Sequence, residues 1–276
     1  MTLSEAARRL SERGIEDAVD EARILFERIG GIPRYRLIDR SVECDTQRLL
    51  CAIERRCARE PLAYIIGEVD FYRESYEVTR DCLIPRSDTE LLVDLAVARI
   101  PEGELFLDLC TGSGCVAIST LKNTVGTRAV GIDISDAALK IAEKNAKRNG
   151  VEDRLRLVQK DLFSSDLKDY HPYAILSNPP YVTETAYAGL KEEIFFEPKI
   201  AFTSGEDGLD LIRRLIPLCR EAVRPDGFIA FEIGYDQGES AKALAVLHGL
   251  DIEIHRDLGG RDRVALFKLA KASDYN

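Results

Sequence analysis

Residues 105–115 read LFLDLCTGSGC, an apolar, strand-like run that passes directly into a glycine-rich turn. Glycines in such a turn let the backbone reverse sharply and approach a ligand at the N-terminus of the next helix. An acidic residue, Asp133, follows Gly112 by 21 residues, at the end of the second predicted strand. That separation is typical of the carboxylate that binds ribose hydroxyls in nucleotide-binding folds. The stretch therefore predicts a nucleoside-containing ligand at the first turn of an α/β sheet.

A parallel sheet is predicted from the way short apolar runs alternate with helical stretches after residue 104. Between the second and third strands, Ser135 suits the N-cap of a helix and Asn149-Gly150 suits its end. The fold class is thus α/β, a Rossmann-like and mostly parallel seven-stranded sheet. The predicted strands are residues 105–109, 129–132, 155–158, 173–177, 228–233, 252–255 and 264–269.

The N-terminal part of the chain carries helical rather than strand-like patterns. Apolar residues recur at helical spacing in residues 4–13, 17–29 and 46–59, and glycine or proline follows each segment. Residues 64–84 then alternate apolar and polar side chains, which favours a β-hairpin. The sequence therefore predicts a helical bundle at 1–62, a β-hairpin linker at 63–84 and the α/β domain at 85–276.

The composition is that of a globular chain with an acidic balance, since 45% of the 276 residues are hydrophobic and the net charge is −10. Proteins that hold long nucleic acids neutralise phosphates with Lys and Arg, so stable DNA binding is not expected.

No apolar run approaches the ~20 residues of a membrane span. The N-terminus lacks the layout of a signal peptide, which predicts a cytoplasmic protein. Seven cysteines without a C-x-x-C pair, and three scattered histidines, predict no metal site.

Two ligand classes fit the glycine turn when it is taken alone. Gly112, Gly114 and Ala117 satisfy the dinucleotide pattern G-x-G-x-x-G/A, which leaves an NAD-dependent oxidoreductase open. Rossmann-like methyltransferases resemble the stretch more closely, because they place an acidic residue, here Asp108, before a single D-x-x-x-G-x-G turn. Their ligand, S-adenosylmethionine, has no pyrophosphate and does not need a third glycine.

The sequence Asn178-Pro179-Pro180-Tyr181 ends the fourth predicted strand, at the edge where open α/β sheets bind ligands. An amide nitrogen is a poor nucleophile because its lone pair is delocalised into the carbonyl. The side-chain oxygen of Asn178 and the carbonyl of Pro179 can accept from its N–H groups, orient it and oppose that delocalisation. The prolines supply no competing N–H, and Tyr181 can cover the flat face of the substrate group. The tetrad predicts methyl transfer to a planar amide or amine nitrogen.

The tetrad gives the reaction type and leaves the substrate open, because adenine-N6 DNA methyltransferases and glutamine-N5 protein methyltransferases both carry it. A DNA enzyme would need a basic region that grips phosphates and extrudes the base, and the helical N-terminal region contains no basic run. The oxidoreductase hypothesis explains the glycine turn but gives the Asn-Pro-Pro-Tyr tetrad no function. A non-catalytic binding protein is disfavoured because the turn, Asp133 and the tetrad are all intact.

A wider set of motifs occurs along the chain in a fixed order: 61–68 (PLAYIIGE), 83–90 (LIPRSDTE), the turn at Asp108, 178–181 (NPPY), 197–198 (EP), 205–208 (GEDG) and 259–263 (GGRDR). In this order they resemble the protein-(glutamine-N5) methyltransferases that act on peptide chain release factors (HemK type). The resemblance covers about residues 60–270 through these motifs. Departures are small: family members often have glycine at position 110 and proline at 87, where this chain has Cys110 and Ser87, and Leu162 replaces an aromatic residue of some relatives.

This resemblance implies a substrate, the glutamine of the Gly-Gly-Gln loop of class 1 release factors. It implies S-adenosyl-L-methionine as methyl donor, with S-adenosylhomocysteine as product. The helical domain would help to hold the release factor, and we expect a monomer because one loop enters one crevice. The implied cofactor residues are Asp108, Cys110, Thr111, Gly112, Ser113, Gly114, Asp133, Asp161 (for the adenine amine), Leu162 (for the adenine ring) and Asn178. The implied substrate residues are Asn178, Pro179, Pro180 and Tyr181, of which Asn178, Pro179 and Tyr181 would be catalytic. Arg86, Thr89, Glu90 and Glu197 would border the crevice.

Overall fold

The computed structural model describes residues 1–164 and 166–270. Residues 271–276, the end of the predicted α/β domain, lie outside the described part. The chain divides into two compact units, residues 1–69 with 191–197, and residues 70–190 with 198 onward. The domain limits at residues 62 and 84 stay predictions. Within the described ranges, no helix has both the length and the apolar composition needed to cross a membrane.

The first unit is built on four helices. The first begins with a capping box: Thr2 Oγ1 accepts from the Glu5 amide, and Glu5 accepts in return from the Thr2 amide. Apolar side chains from all four helices form one buried cluster, with Leu25, Phe26 and Leu49 fully enclosed. The helices are α1 (Leu3–Glu12), α2 (Ala18–Arg28), α3 (Gln47–Cys57) and α4 (Leu62–Ile66).

Helix α4 is a difference from the sequence prediction, which begins the alternating hairpin pattern at residue 64. The short helix follows Pro61, whose fixed φ suits a helix start. It ends at Gly67, which adopts a left-handed conformation at φ 88°. These flanking residues outweigh the alternating pattern, so the hairpin begins only at residue 68.

A buried arginine joins the segment 191–197 to the helices of the first unit. Arg56 pairs with Glu21 at 2.5 Å and with Glu193 at 3.1 Å, and Arg59 reaches the same Glu193 at 2.9 Å. A buried charge of this kind is tolerated because carboxylates neutralise it on two sides.

The second unit contains the seven-stranded sheet. The strand order is β5-β4-β3-β6-β7-β9-β8, with β9 antiparallel to both of its neighbours and the other pairings parallel. The seven predicted strands and the mostly parallel topology are confirmed. The elements along the chain are β1 (Glu68–Phe71), β2 (Glu74–Glu77), α5 (Glu90–Arg99), β3 (Leu105–Leu109), α6 (Cys115–Lys122), β4 (Arg128–Asp133), α7 (Asp136–Asn149), β5 (Leu155–Gln159), β6 (Ala174–Ser177), α8 (Glu184–Tyr187), α9 (Asp210–Ala222), β7 (Phe228–Glu232), α10 (Gly238–Leu247), β8 (Leu250–Arg256) and β9 (Asp262–Leu269).

The sheet changes direction between β3 and β6. The chain runs outward through β3, β4 and β5, and then returns to place β6 on the other side of β3. The carboxyl ends of β3 and β6 therefore flank the crevice where such sheets bind ligands. Leu109 and Ser177 are partners in the register, so the glycine turn and the tetrad leave the sheet side by side.

The hairpin formed by β1 and β2 packs against the α/β core. Tyr76 is fully buried, and its hydroxyl lies 2.6 Å from Ser119 Oγ on α6. Asn145 on α7 accepts from the Glu77 amide at 2.7 Å and donates to the Ser113 carbonyl at 2.9 Å. Strand β2 is thereby connected to the glycine turn through Asn145, so the hairpin does more than link two domains.

Candidate active site

The glycine turn reverses the chain through three left-handed residues, Cys110 at φ 57°, Gly112 at φ 55° and Gly114 at φ 81°. At Gly114 a Cβ atom would also lie 3.0 Å from Ile118 Cδ1 and 3.1 Å from Ala142 Cβ, so the position requires glycine. Cys110 takes up the left-handed conformation without being glycine, which costs of order 1–3 kcal/mol. Surrounding contacts must therefore hold the turn in this shape.

Asp108 supplies those contacts from beneath the turn. Its Oδ2 accepts from Thr111 Oγ1 at 2.6 Å and from the Ala117 amide at 3.2 Å. Burial raises the pKa of Asp108 to about 7, although both hydrogen bonds act in the opposite direction. Asp108 is 1% exposed, so we expect it to shape the turn, and its predicted contact with the cofactor stays a prediction.

Asp133 is held at the mouth of the crevice by backbone amides. Its Oδ2 accepts from Gly112 N, and its Oδ1 accepts from Ser135 N, both at 2.9 Å. Ser135 in turn caps α7, since its hydroxyl accepts from Ala138 N at 3.2 Å. The carboxylate is thereby fixed in place with lone pairs left for ribose hydroxyls.

A cavity of about 380 Å³ opens beside the turn. Seven of the sequence-predicted residues line it: Cys110, Gly112, Asp133, Asp161, Leu162, Asn178 and Pro180. Further lining residues that the sequence did not single out for a role are Leu83, Ile134, Ala138, Phe163, Ile200 and Arg214. The cavity therefore combines mostly apolar walls with a few oriented polar groups, as small-molecule sites usually do.

Two signals could have identified part of this additional lining. Ile134 and Phe163 directly follow Asp133 and Leu162, so they continue segments already assigned to the cofactor. Arg214 carried no such signal. It lies on α9, and only the fold brings its guanidinium to within 3.3 Å of the Phe163 ring centroid.

Four residues predicted to bind the cofactor do not belong to the cavity lining. They are Asp108, Thr111, Ser113 and Gly114. The side chains of the first three are buried within the turn, and Gly114 lets α6 start there. Direct cofactor contacts are therefore expected from the lining residues, whereas these four set the path of the backbone.

The tetrad follows β6 directly and is anchored by Ser177, whose hydroxyl donates to the Leu109 carbonyl at 2.7 Å. Asn178 is half-buried, and its Nδ2 donates to Thr89 Oγ1 at 3.0 Å. Because Thr89 engages the nitrogen side of this amide, the side-chain oxygen of Asn178 is left to accept from another molecule. Pro179 is buried, and Pro180 reaches the cavity wall.

Tyr181 is fixed at both its hydroxyl and its backbone. The hydroxyl donates to Glu232 Oε1 at 3.0 Å, and the backbone carbonyl accepts from Gln237 Nε2 at 3.0 Å. Burial and the nearby carboxylate of Glu232 raise the pKa of Tyr181, so the phenol stays protonated at neutral pH. Gly208 contacts the same carbonyl, because a Cβ atom there would lie 2.1 Å from the Tyr181 oxygen.

The residues predicted to border the crevice fall into three groups. Thr89 is buried and bonded to Asn178. Glu90 accepts from the Tyr72 amide at 2.8 Å, and Arg86 lies just before the short 3-10 turn Ser87–Thr89. Glu197 is buried and belongs to the segment 191–197 of the first unit. Of the four, the structure joins Thr89 to the tetrad.

The chain is similar to known methyltransferases in both its sequence and its fold. Residues 2–67 match the family model described as the PrmC N-terminal domain, and residues 87–206 match the methyltransferase small domain. A release factor glutamine methyltransferase of Moorella thermoacetica is 38% identical over 96% of both chains. One from Cereibacter sphaeroides is 36% identical over 98% of both chains. A solved ribosomal protein L11 methylase from Lactobacillus delbrueckii subsp. bulgaricus is 21% identical with a TM-score of 0.51, over 68% of this chain and 81% of that chain, and shares the fold.

The switch-point cavity, the glycine turn and the matched domains define an S-adenosylmethionine-dependent methyltransferase of the Rossmann-like class. The cavity lining fits that cofactor, because Asp133 and Asp161 offer carboxylates for its polar groups and side chains such as Leu162 and Ile134 offer apolar surface. The relatives narrow the class further. The chain belongs to the release factor glutamine methyltransferase family.

Proposed function

We propose that the enzyme methylates the side-chain nitrogen of the glutamine in the Gly-Gly-Gln loop of class 1 peptide chain release factors. The observation that carries the proposal is the orientation of Asn178. Its Nδ2 donates to Thr89, so its Oδ1 is the atom available to a substrate N–H. We expect the Pro179 carbonyl to be the second acceptor for the same primary amide.

The chain's own groups act mainly by orientation. When both N–H bonds of the substrate amide point at acceptors, the nitrogen lone pair is turned toward the cofactor. Orientation of this kind can lower a barrier by up to ~7–11 kcal/mol. Pro180 and the apolar walls exclude water, which strengthens these polar contacts.

S-adenosylmethionine supplies an electrophilic methyl group on a positively charged sulfur. The nitrogen–carbon bond forms as the carbon–sulfur bond breaks, and the sulfur keeps the electron pair. The nitrogen then loses one proton to solvent. Tyr181 is not expected to act as a base for this proton, because its pKa is raised and its hydroxyl already donates to Glu232.

The partner and the location belong to the same proposal. The similarity to release factor glutamine methyltransferases supports a release factor as substrate. An acidic chain with a net charge of −10 does not favour stable DNA binding. A monomeric state accords with a single loop entering a single cavity, and it stays a prediction, as does a cytoplasmic location.

The test supplies labelled S-adenosylmethionine with, in separate reactions, an unmodified class 1 release factor and adenine-rich duplex DNA. We expect label on the release factor and none on DNA. The label should disappear when the glutamine of the Gly-Gly-Gln loop is replaced. Label on DNA alone would transfer the assignment to an adenine-N6 methyltransferase, which shares the Asn-Pro-Pro-Tyr sequence.

A further inference from the structure

The buried carboxylate of Glu232 contacts the tetrad through Tyr181, and the methyl-transfer reaction described above does not use it. It is the last residue of β7, the strand next to β6, and its neighbour Phe231 is the register partner of Ser177. Glu232 therefore stands at the sheet edge beside Asn178. Its side chain is 1% exposed, and a carboxylate buried this deeply is costly unless surrounding groups compensate it.

Two hydroxyl groups lie near Glu232, one from Tyr181 within the tetrad and one from Thr89, which is bonded to Asn178. The Tyr181 hydroxyl donates to Oε1 at 3.0 Å. The Thr89 hydroxyl lies near enough to the carboxylate to lower the pKa of Glu232, and the buried Oε2 atom of Glu232 has no hydrogen-bond partner within the described residues. Because Thr89 Oγ1 already accepts from Asn178 Nδ2, the Thr89 proton is free to point at Glu232. Hydrogen bonds join Asn178 to Thr89 and Tyr181 to Glu232, and the Thr89 hydroxyl can link the two pairs by donating to the unpartnered Oε2 of Glu232.

The charged groups that face Glu232 come from two further elements. Arg263 on β9 lowers the pKa of Glu232, and Asp88 in the turn before α5 raises it. Arg263 is itself held by Asp88 and Asp257, each at 3.2 Å. Burial outweighs Arg263 and the two hydroxyls, and it raises the pKa of Glu232 to about 7.

We propose that Glu232, as a carboxylate, is a positioning residue for methyl transfer, which fixes Asn178 through Thr89 and fixes Tyr181 directly. The proposal rests on the proposed function, since Asn178 is the group that orients the substrate amide. Thr89 can donate only one proton. While the carboxylate takes that proton, Asn178 must present Nδ2 to Thr89 and Oδ1 to the substrate. If the amide of Asn178 turned over, its donors would face the substrate N–H groups.

A pH dependence follows from this arrangement. Protonation makes Glu232 a weaker acceptor, because hydrogen bonds to a charged group are roughly twice as strong as neutral ones. Turnover should therefore fall as the pH drops below about 7. The fold should not suffer in the same range. An acid whose pKa is raised by burial is most stable in the folded state when protonated, and its contribution is lost as the pH rises.

The experiment measures turnover of the full-length enzyme on a release factor between pH 5.5 and 9, for wild type and Glu232→Gln. The amide keeps the shape but replaces one oxygen with a donor, so kcat at pH 8 should fall about ten- to hundred-fold. The KM for S-adenosylmethionine should stay unchanged. The decline of the wild-type rate below pH 7 should be absent from the variant. A purely structural role would not remove that decline.

Two further variants keep the test decisive. Thr89→Val removes the linking hydroxyl and should lower kcat in the same way, and the double variant should lose less than the product of the two single losses. Glu104→Gln is the matched control, since Glu104 pairs with Arg224 just before β3, at the opposite end of that strand from the glycine turn. It should retain the wild-type rate and pH profile.

The outcomes separate this proposal from the proposed function. Wild-type rates in Glu232→Gln, or an unchanged decline below pH 7, would overturn the positioning role while the substrate assignment stands. Failure of the wild type to label the release factor at any pH would overturn the assignment itself. If Glu232→Gln does not fold, Thr89→Val decides the positioning role on its own, and wild-type kcat in that variant would contradict it.

Discussion

The glycine turn and the tetrad leave neighbouring strands side by side, yet they are held in different ways. The turn is fixed through hydrogen bonds that involve backbone amides and residues close in sequence, such as Asp108 with Thr111 and Ala117. The tetrad is fixed by side chains from distant elements. Thr89 and Glu232 lie 89 and 51 residues away from Asn178 and Tyr181, the residues to which they are bonded.

The difference teaches that cofactor binding and substrate orientation depend on separable groups. The turn and Asp133 are held by hydrogen bonds within one contiguous part of the chain, from Asp108 to Asn145. The side chains of Asn178 and Tyr181 are oriented by Thr89, which directly precedes α5, and by Glu232 at the end of β7. Both partners reach β6 only in the folded sheet. Changes on one side should therefore alter cofactor affinity, whereas changes on the other should alter turnover.

The largest effect is expected from Asn178→Ala. Turnover on a release factor should fall about 10²–10³-fold, as for loss of one preorganised polar contact in other enzymes. Calorimetric affinity for S-adenosylmethionine should fall much less than turnover, because Asn178 is one of several residues that line the cofactor cavity. Asn123→Ala is the control, because Asn123 bonds Ser119 at the end of α6, away from the cavity. Near-normal turnover in Asn178→Ala would contradict the amide-orientation argument.

A smaller effect is expected from Asp133→Ala, which changes the cofactor side of the site rather than the tetrad. Charge-assisted hydrogen bonds contribute about 1.5–3 kcal/mol each, so cofactor affinity should fall about ten- to hundred-fold by calorimetry. The control is Asp136→Ala, three residues after Asp133, which removes only an exposed ion pair with Lys140 and should bind the cofactor normally. Equal affinities in the two variants would remove Asp133 from the cofactor site.

A third effect concerns the backbone that carries the tetrad. Gly208 has φ 74°, and a Cβ atom there would lie 2.1 Å from the Tyr181 carbonyl oxygen. Gly150 has a similar φ of 67° but open space around it. Gly208→Ala should therefore lower the free energy of unfolding by about 1–3 kcal/mol more than Gly150→Ala, measured by urea denaturation. Equal losses would mean that the contact with Tyr181 is relaxed at no cost.

The smallest effect is a change in how stability varies with pH. The folded-state pKa of Asp108 is raised to about 7, so its stabilising contribution is complete at low pH and is lost as the pH rises toward 7. Asp108→Asn should reduce the drop in unfolding midpoint between pH 4.5 and 7, because this titration is removed. A drop as large as that of the wild type would show that Asp108 ionises normally in the folded state.

The sequence predicts those elements whose ends and hydrophobic pattern are encoded within the element itself. Helix α7 begins after Ser135 and ends at Gly150 as expected, because both caps are encoded within one helix length. The strands, the glycine turn and the place of Asp133 follow from the same kind of pattern. Helix α4 was missed because its five residues give too little periodicity to outweigh the alternating pattern.

The parts that sequence did not predict require the assembled sheet. Nothing near Glu232 indicates that it faces Tyr181, and the LIPRSDTE motif does not say which of its residues meets Asn178. Asp108 illustrates the same limit from the opposite direction. Its motif position predicts a cofactor contact but does not indicate that the buried side chain also holds the turn by its bond to Thr111.

The central claim is that the enzyme transfers one methyl group to a glutamine side-chain nitrogen. Fragmentation mass spectrometry of a release factor, before and after reaction, locates the added mass most directly. The account predicts one methyl group on the glutamine of the Gly-Gly-Gln loop in the wild-type reaction, and greatly reduced methylation with Asn178→Ala. A methyl group on any other residue, or an unmodified loop after complete reaction, would contradict it.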